Sequence, residues 1–159
     1  MYKTKHYMIQ ELVSQDLYSM MMRTRKSDWI LWGLFDDRAL MTLDNLKDYL
    51  EMLLDKKVPV TVNSWPFVDV NSTHQRGYRQ AHSEVGAQWS PHKTGSAFDA
   101  TAKGIEAKDI RKNILKMSFE ERKKHGLHYI KRIETGCTWF HFDLMNFGKD
   151  NEISLFVKK

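Results

Sequence analysis

Apolar residues along this chain follow a helical period first and a strand period later. After Asp36 and Asp37, they recur at the i, i+3 and i+4 spacing of an amphipathic helix. They are Leu40, Leu43, Leu46, Leu50, Leu53 and Leu54. The stretch from Leu12 to Met22 has a similar spacing. These patterns predict that the first third of the chain is helical, with the aspartate pair at the start of the longer helix.

From residue 58 onward, short segments alternate in polarity or are rich in β-branched and aromatic residues, which is typical of strands. The predicted strands cover residues 58–62, 97–102, 129–134, 139–144 and 153–157. The third and fourth are separated by a Thr135-Gly136 turn and predict a β-hairpin. A further helix is predicted over residues 105–117. The aperiodic stretch 63–91 predicts a long loop, and such loops tend to carry function.

The order of these elements predicts an α+β fold in which helices pack on a small, mostly antiparallel sheet. A chain of 159 residues with 42% hydrophobic residues has the size and composition of one globular domain, and it contains no repeat or linker. We therefore expect a single domain over residues 1–159. Residues 1–55 would form its helical part, and residues 58–157 the sheet that carries the functional site.

The net charge of +5 favours a polyanionic partner such as nucleic acid, a membrane surface or a bacterial wall. The lysines are scattered without an aromatic-interleaved basic motif, so nucleic-acid binding is not expected. The single cysteine, Cys137, excludes an intrachain disulfide and a Cys-rich zinc site. Since neither a signal peptide nor an apolar run of about 20 residues is visible, we expect synthesis in the cytoplasm without membrane insertion.

Residues able to bind a metal occur in the segment Ser90–Asp99. A catalytic zinc ion takes three protein ligands from His, Asp or Glu and keeps one position open for water. His92 lies at the end of the long loop, and Asp99 follows seven residues later inside a predicted strand. Gly95 permits the backbone turn that lets these two converge on one ion. His92 and Asp99 are therefore the first two candidate ligands.

His141 is the natural third ligand. Side chains alternate along a strand, so Trp139, His141 and Asp143 share one face while Phe140 and Phe142 share the other. The phenylalanines belong to the core. The opposite, polar face has the character of a cleft wall.

These residues also carry a resemblance. Ser90, His92, Gly95, Ala97 and Asp99 match all five defined positions of the S-x-H-x-x-G-x-A-x-D motif. That motif belongs to the zinc D-Ala-D-Ala carboxypeptidase family, which includes the phage L-alanyl-D-glutamate endopeptidases and shares its fold with the hedgehog signalling domain. The resemblance implies a hedgehog-like fold, and zinc held by His92, Asp99 and the later histidine.

Two further segments extend the resemblance to roughly residues 58–146. The strand around His141 is similar to the W-[VI]-H-[VI]-D strand of phage-encoded members, which makes His141 the third zinc ligand. Arg76-Gly-Tyr-Arg79 is similar to a G-Y-R segment whose arginine binds substrate in relatives. Arg79 is accordingly our candidate for holding a substrate carboxylate or an oxyanion, with Arg76 as the alternative. Ser90 is a candidate for a hydrogen bond beside the metal.

The general base departs from the family pattern. Peptide hydrolysis at zinc needs a carboxylate, and many relatives carry a Glu three residues before the last ligand, where this chain has Thr138. Glu134, across the hairpin turn, and Asp143, about 7 Å along the strand from His141, are the two candidates. Asp143 can instead orient a ligand. The choice stays open at this point.

The function that the resemblance implies is zinc-dependent hydrolysis of a peptide bond in peptidoglycan stem peptides or cross-links. A phage endolysin or a virion-associated peptidase acting at the bacterial cell wall would fit. The alternative is a non-catalytic zinc-binding module of the same fold, used for wall recognition or as a structural component. Thr138 is the main support for that alternative.

Overall fold

The computed structural model describes residues 1–25, 27–67, 75–145 and 151–157. The helices are α1 (Gln15–Arg25), α2 (Trp29–Trp32), α3 (Asp37–Leu54), α4 (Ala107–Lys116) and α5 (Phe119–Lys124), with 3-10 turns at Ile9–Glu11 and Pro91–Thr94. The strands are β1 (Val60–Thr61), β2 (Ala97–Ala102), β3 (Arg132–Thr135), β4 (Phe140–Asp143) and β5 (Ser154–Val157). An α+β fold is therefore confirmed. Within the described ranges, no helix has both the length and the apolar character needed to cross a membrane.

Helix α3 begins and ends where its sequence predicts. Asp36 is extended, and its carboxylate accepts a hydrogen bond from the backbone N–H of Arg38 at 2.9 Å, which caps the first turn. Four of the predicted core leucines are completely buried: Leu40, Leu43, Leu46 and Leu50. The helix ends at Leu54, and the C-cap residue Asp55 adopts the left-handed conformation with φ of 47°.

The strand predictions hold with shifts at several ends. β2 covers the predicted range, and the hairpin of β3 and β4 pairs Arg132 with Asp143 and Ile133 with Phe142. β3 starts at Arg132 and not at residue 129, because residues 127–130 form a turn closed by Ile130 N–H and the Leu127 carbonyl. β1 is reduced to two residues. Helix α1 starts at Gln15 and not at residue 12, because a 3-10 turn precedes it.

The sheet is mixed, which corrects the prediction of a small, mostly antiparallel sheet. Its strand order is β1-β2-β4-β3-β5, and the last strand pairs parallel with β3. β5 follows β4 in sequence but lies beyond β3, at the far edge of the sheet. Alternation of polarity predicts a strand but not its direction in the sheet.

The two faces of the sheet differ in chemistry. Phe98, Phe140 and Phe142 on one face are fully buried, and the ring of Phe98 stacks on Phe35 at a centroid distance of 5.6 Å. Each such side chain contributes about 1.5–3 kcal/mol of burial free energy. The alternate positions of β2 and β4 place Asp99 and His141 on the opposite face.

Candidate metal centre

The loop before β2 delivers His92 through a tight turn. Ser90 is the extended residue before the 3-10 turn Pro91–Thr94, and Gly95 closes the turn with φ of +67°. A Cβ at Gly95 would lie 2.0 Å from the carbonyl oxygen of Leu34, so a side chain has no room there. Gly95 thus meets both a conformational and a steric requirement, and only glycine satisfies both.

The structure brings the predicted ligands His92, Asp99 and His141 together. Asp99 and His141 are register partners on β2 and β4, and Asp99 Oδ1 lies 2.6 Å from His141 Nδ1 and 3.4 Å from His92 Nε2. The donor atoms of the three residues all lie within 4.8 Å of one another. Their side chains are buried. This group can hold a metal ion.

The remaining ring nitrogen of each histidine has its own partner. His92 Nδ1 lies 2.8 Å from the carbonyl oxygen of Gly77, and His141 Nε2 lies 3.1 Å from Asp143 Oδ2. These contacts leave Nε2 of His92 and Nδ1 of His141 directed at Asp99. Such outer contacts fix the tautomer and the ring orientation of metal-binding histidines.

Asp143 is fully buried and its oxygens are occupied. The guanidinium of Arg132 donates to Oδ1 at 2.9 Å and to Oδ2 at 2.8 Å, and the N–H of Met145 donates to Oδ1. This arrangement suits a residue that orients His141. Arg132 was absent from the sequence-based site, although its register pairing with Asp143 follows once the hairpin is in place.

Arg79 contacts the candidate centre through Asp99. Its Nη2 donates to Asp99 Oδ2 at 3.1 Å, while its Nε donates to the carbonyl of Gln75 at 2.6 Å. Arg76 contributes mainly through its backbone, because its carbonyl accepts a hydrogen bond from Asp99 N–H at 2.8 Å. The guanidinium of Arg76 lies 5.9 Å from the ring centroid of Trp139. Of the two arginines, Arg79 is the one that reaches the centre.

The ionisable side chains of the candidate centre shift one another's pKa values. Burial by itself lowers the pKa of His141, but the hydrogen bonds and charges of Asp143 and Asp99 outweigh burial and raise that pKa to about 9. Burial would raise the pKa of Asp99, yet contacts with His141 and His92 hold it well below its usual range. Burial lowers the pKa of His92. Two ionised carboxylates therefore surround a proton on His141, and a divalent cation would displace that proton.

A cavity of about 230 Å³ opens onto the three candidate ligands. Glu134 and Ser90 line it, whereas Asp143 and Thr138 are not among its lining residues. Glu134 is only 6% exposed, so it is part of the cavity wall and not of a solvated hairpin surface. The structure thus places Glu134 in the cavity and leaves Asp143 behind His141.

Aromatic side chains form other parts of the wall. Phe156 of β5 meets the His141 ring edge-on at a centroid distance of 5.4 Å, and the Arg132 guanidinium lies 4.9 Å from the Phe156 centroid. Trp139 lines the cavity, and Trp89, which is 82% exposed, stands at its rim. The contribution of Phe156 could not be found from sequence, because it depends on the parallel placement of β5.

Comparison with protein-family models, with curated proteins and with solved structures finds no match for this chain. The function of this protein is therefore inferred from the residues of the site and from the motif they form.

Proposed function

We propose that this protein is a zinc-dependent peptidase that cleaves a peptide bond in the stem peptides or cross-links of bacterial peptidoglycan. The observation that carries the proposal is the placement of Glu134 in the same cavity as the buried His92, Asp99 and His141 group. A metal-binding group beside a carboxylate that is not one of its ligands is the minimal arrangement for hydrolysis by a metal-activated water.

Zinc is the metal that this donor set favours. Two imidazoles and one carboxylate match the three-ligand catalytic zinc sites, and the adjoining cavity gives access for a fourth ligand. When bound, zinc would supply Lewis acidity at the water and at the substrate carbonyl. Asp143 and Arg132 would hold the His141 ring for this purpose, and Arg79 would hold Asp99.

Glu134 is the general base in this proposal. It would accept a proton from the water and return it to the leaving amine. Asp143 is the weaker candidate, because its oxygens already accept from Arg132, His141 and the backbone of Met145. In this proposal Glu134 of β3, before the hairpin turn, supplies the carboxylate. A Glu is then not needed at position 138, where many proteins with this motif carry it and this chain has Thr138.

The substrate assignment is supported by the five-position motif and by the shape and charge of the protein. An open groove of about 650 Å³ adjoins the cavity at Arg79, which lines both, so an extended peptide has room on that side. The net charge of +5 favours approach to an anionic wall. A phage endolysin or a virion-associated peptidase acting at the cell wall fits these properties. The motif further supports a hedgehog-like fold as part of this proposal.

A non-catalytic zinc-binding module of the same fold is the second candidate. It is favoured by Thr138, which is exposed on the hairpin turn and offers no carboxylate. In that case the protein would bind zinc and the wall without cutting.

Digestion of purified peptidoglycan separates these two candidates. We expect the zinc-loaded protein to release peptides, the chelator-treated protein to release none, and zinc to restore release. Mass spectrometry of the released peptides then identifies the bond. Zinc-loaded protein that binds walls but releases no peptide would contradict the peptidase proposal and support the binding module.

A further inference from the structure

Arg111 of α4 is a buried arginine that binds the turn between β3 and β4. Its Nη2 donates to the Cys137 carbonyl at 2.9 Å, and its Nη1 donates to the Trp139 carbonyl at 3.0 Å. Nη1 also lies 3.5 Å from the Glu134 carbonyl. The residue is 9% exposed. One guanidinium therefore contacts both ends and the middle of this turn.

Glu134 lies beyond the end of the β3–β4 ladder and is paired only on its β5 side. The register pairs of β3 with β4 end at Ile133 and Phe142, one residue before Glu134, while Glu134 pairs with Phe156 of β5 on the other side. Beyond this point the β3–β4 turn includes Gly136 in the left-handed region, with φ of +81°. Arg111 donates to the carbonyls of Cys137 and Trp139, which lie in this turn beyond the last β3–β4 register pair.

The energetics indicate a specific role for this cation. Among the described residues Arg111 forms no ion pair with a carboxylate, and burying a cation is costly unless its hydrogen bonds are satisfied. The planar fork of an arginine can satisfy two carbonyls at once, which the single ammonium of a lysine cannot do with the same geometry. The turn and the guanidinium therefore fix each other.

We infer that Arg111 is a positioning residue that holds the Glu134 carboxylate in the metal cavity through the β3–β4 turn. Arg111 does not line that cavity, so its effect on the chemistry is indirect. This inference rests on the proposed function as far as catalysis is concerned. The position of Glu134 itself can be tested without any activity.

Arg122 offers a matched control. It is 6% exposed, and its guanidinium also donates to two backbone carbonyls, those of Met117 at 3.0 Å and Asn151 at 2.6 Å. It lies on α5 and has no contact with the hairpin turn among its hydrogen bonds in the described chain. Arg122→Met thus removes a comparable structural support while leaving the β3–β4 turn intact.

The kinetic test compares Arg111→Met, Arg111→Lys and Arg122→Met, each loaded with one equivalent of zinc. A displacement of about 1 Å at a catalytic group can cost about 100-fold in rate, so we expect Arg111→Met to lower kcat by about 10- to 100-fold. KM and zinc content should stay within about twofold of wild type, because the ligands and Arg79 are untouched. Arg111→Lys should fall between, and Arg122→Met should keep the wild-type kcat even if it melts earlier. Equal kcat values for Arg111→Met and Arg122→Met would overturn the inference.

Crystal structures of the zinc-loaded variants provide the second measurement. We expect the Glu134 carboxylate to move by about 1 Å or more relative to His141 in Arg111→Met and to stay in place in Arg122→Met. An unmoved Glu134 overturns the inference, whether or not the wild type cleaves peptidoglycan. If Arg111→Met does not fold, Arg111→Lys carries both measurements. If the wild type does not hydrolyse peptidoglycan but Glu134 is displaced in Arg111→Met, the peptidase proposal is rejected and the positioning role of Arg111 is retained.

Discussion

Asp143 Oδ2 lies 3.1 Å from Nε2 of His141, and this contact leaves Nδ1 of the same ring facing the candidate centre. Since a carboxylate can only accept, Nε2 must carry a proton. Nδ1 faces Asp99 Oδ1 at 2.6 Å and is also protonated in the metal-free protein at neutral pH, so it gives up its proton when a metal binds. The contact with Asp143 therefore keeps the proton on Nε2 and makes Nδ1 the nitrogen that binds the metal.

Replacing Asp143 by Asn should weaken zinc binding without abolishing it. The amide removes the charge that orients His141 and leaves the Arg132 guanidinium without its carboxylate. Loss of such a partner typically costs about 10- to 100-fold in metal affinity. Competition with a chromophoric chelator measures this change. Asp109→Asn, on α4 away from the centre, is the control, and an affinity of Asp143→Asn equal to that of the control would contradict the role assigned to Asp143.

Replacing Glu134 by Gln should separate metal binding from hydrolysis. Glu134 lines the cavity but is not one of the three grouped ligands, so the variant should keep one equivalent of zinc. Loss of a general base lowers the rate by about 100- to 10,000-fold. Peptide release from peptidoglycan measures the change. If Glu134→Gln cuts normally while zinc-saturated Asp143→Asn is inactive, the base is Asp143.

The metal-free protein should lose stability as pH rises from 7 to 9. The folded-state pKa of His141 is raised to about 9, above the ordinary value of about 6.5 in the unfolded chain. Its protonation therefore contributes stability that is fully present below pH of about 6.5 and is lost as pH rises through about 9. His92, whose pKa is lowered in the folded state, adds only a small rise in stability near pH 7, where the unfolded imidazole loses the last of its charge.

Thermal melting of chelator-treated protein at pH 7, 8 and 9 checks this prediction. The decline should flatten in His141→Gln, and it should flatten in the wild type with zinc, because the metal replaces the proton. A decline of the same size in His141→Gln would show that another group is responsible.

Two glycines test the turn that delivers His92. Gly95 and Gly104 both have positive φ, at +67° and +89°. A Cβ at Gly104 would meet only the end of Lys56 at 3.5 Å, whereas one at Gly95 would meet the Leu34 backbone at 2.0 Å. Gly104→Ala should cost about 1–2 kcal/mol for the left-handed conformation. Gly95→Ala should cost about 1–3 kcal/mol more because of overpacking.

Urea denaturation of both glycine variants measures the difference. Gly95→Ala should also bind zinc less tightly than Gly104→Ala, since the turn carries His92. Equal unfolding free energies for the two variants would mean that the contact with Leu34 relaxes at no cost.

The features that could be predicted from sequence are those with a local cause. The leucine spacing fixes α3, the alternation fixes β2, and the segment from His92 to Asp99 places two grouped residues within one turn and one strand. His141 followed from the alternation of β4. The features that sequence did not predict depend on contacts between distant segments. Arg132 reaches Asp143 only through the hairpin register, and Phe156 reaches His141 only because β5 enters the sheet parallel to β3.

Zinc stoichiometry tests the central claim most directly. The account predicts one zinc per chain after dialysis of the wild type, and His82→Ala, which changes an exposed groove residue, should keep it. His92→Ala and His141→Ala should lose most of the bound metal, because each removes one of three ligands. A wild type that retains no zinc at one equivalent, or a His92→Ala protein that binds zinc as tightly as the wild type, would contradict the assignment of this centre.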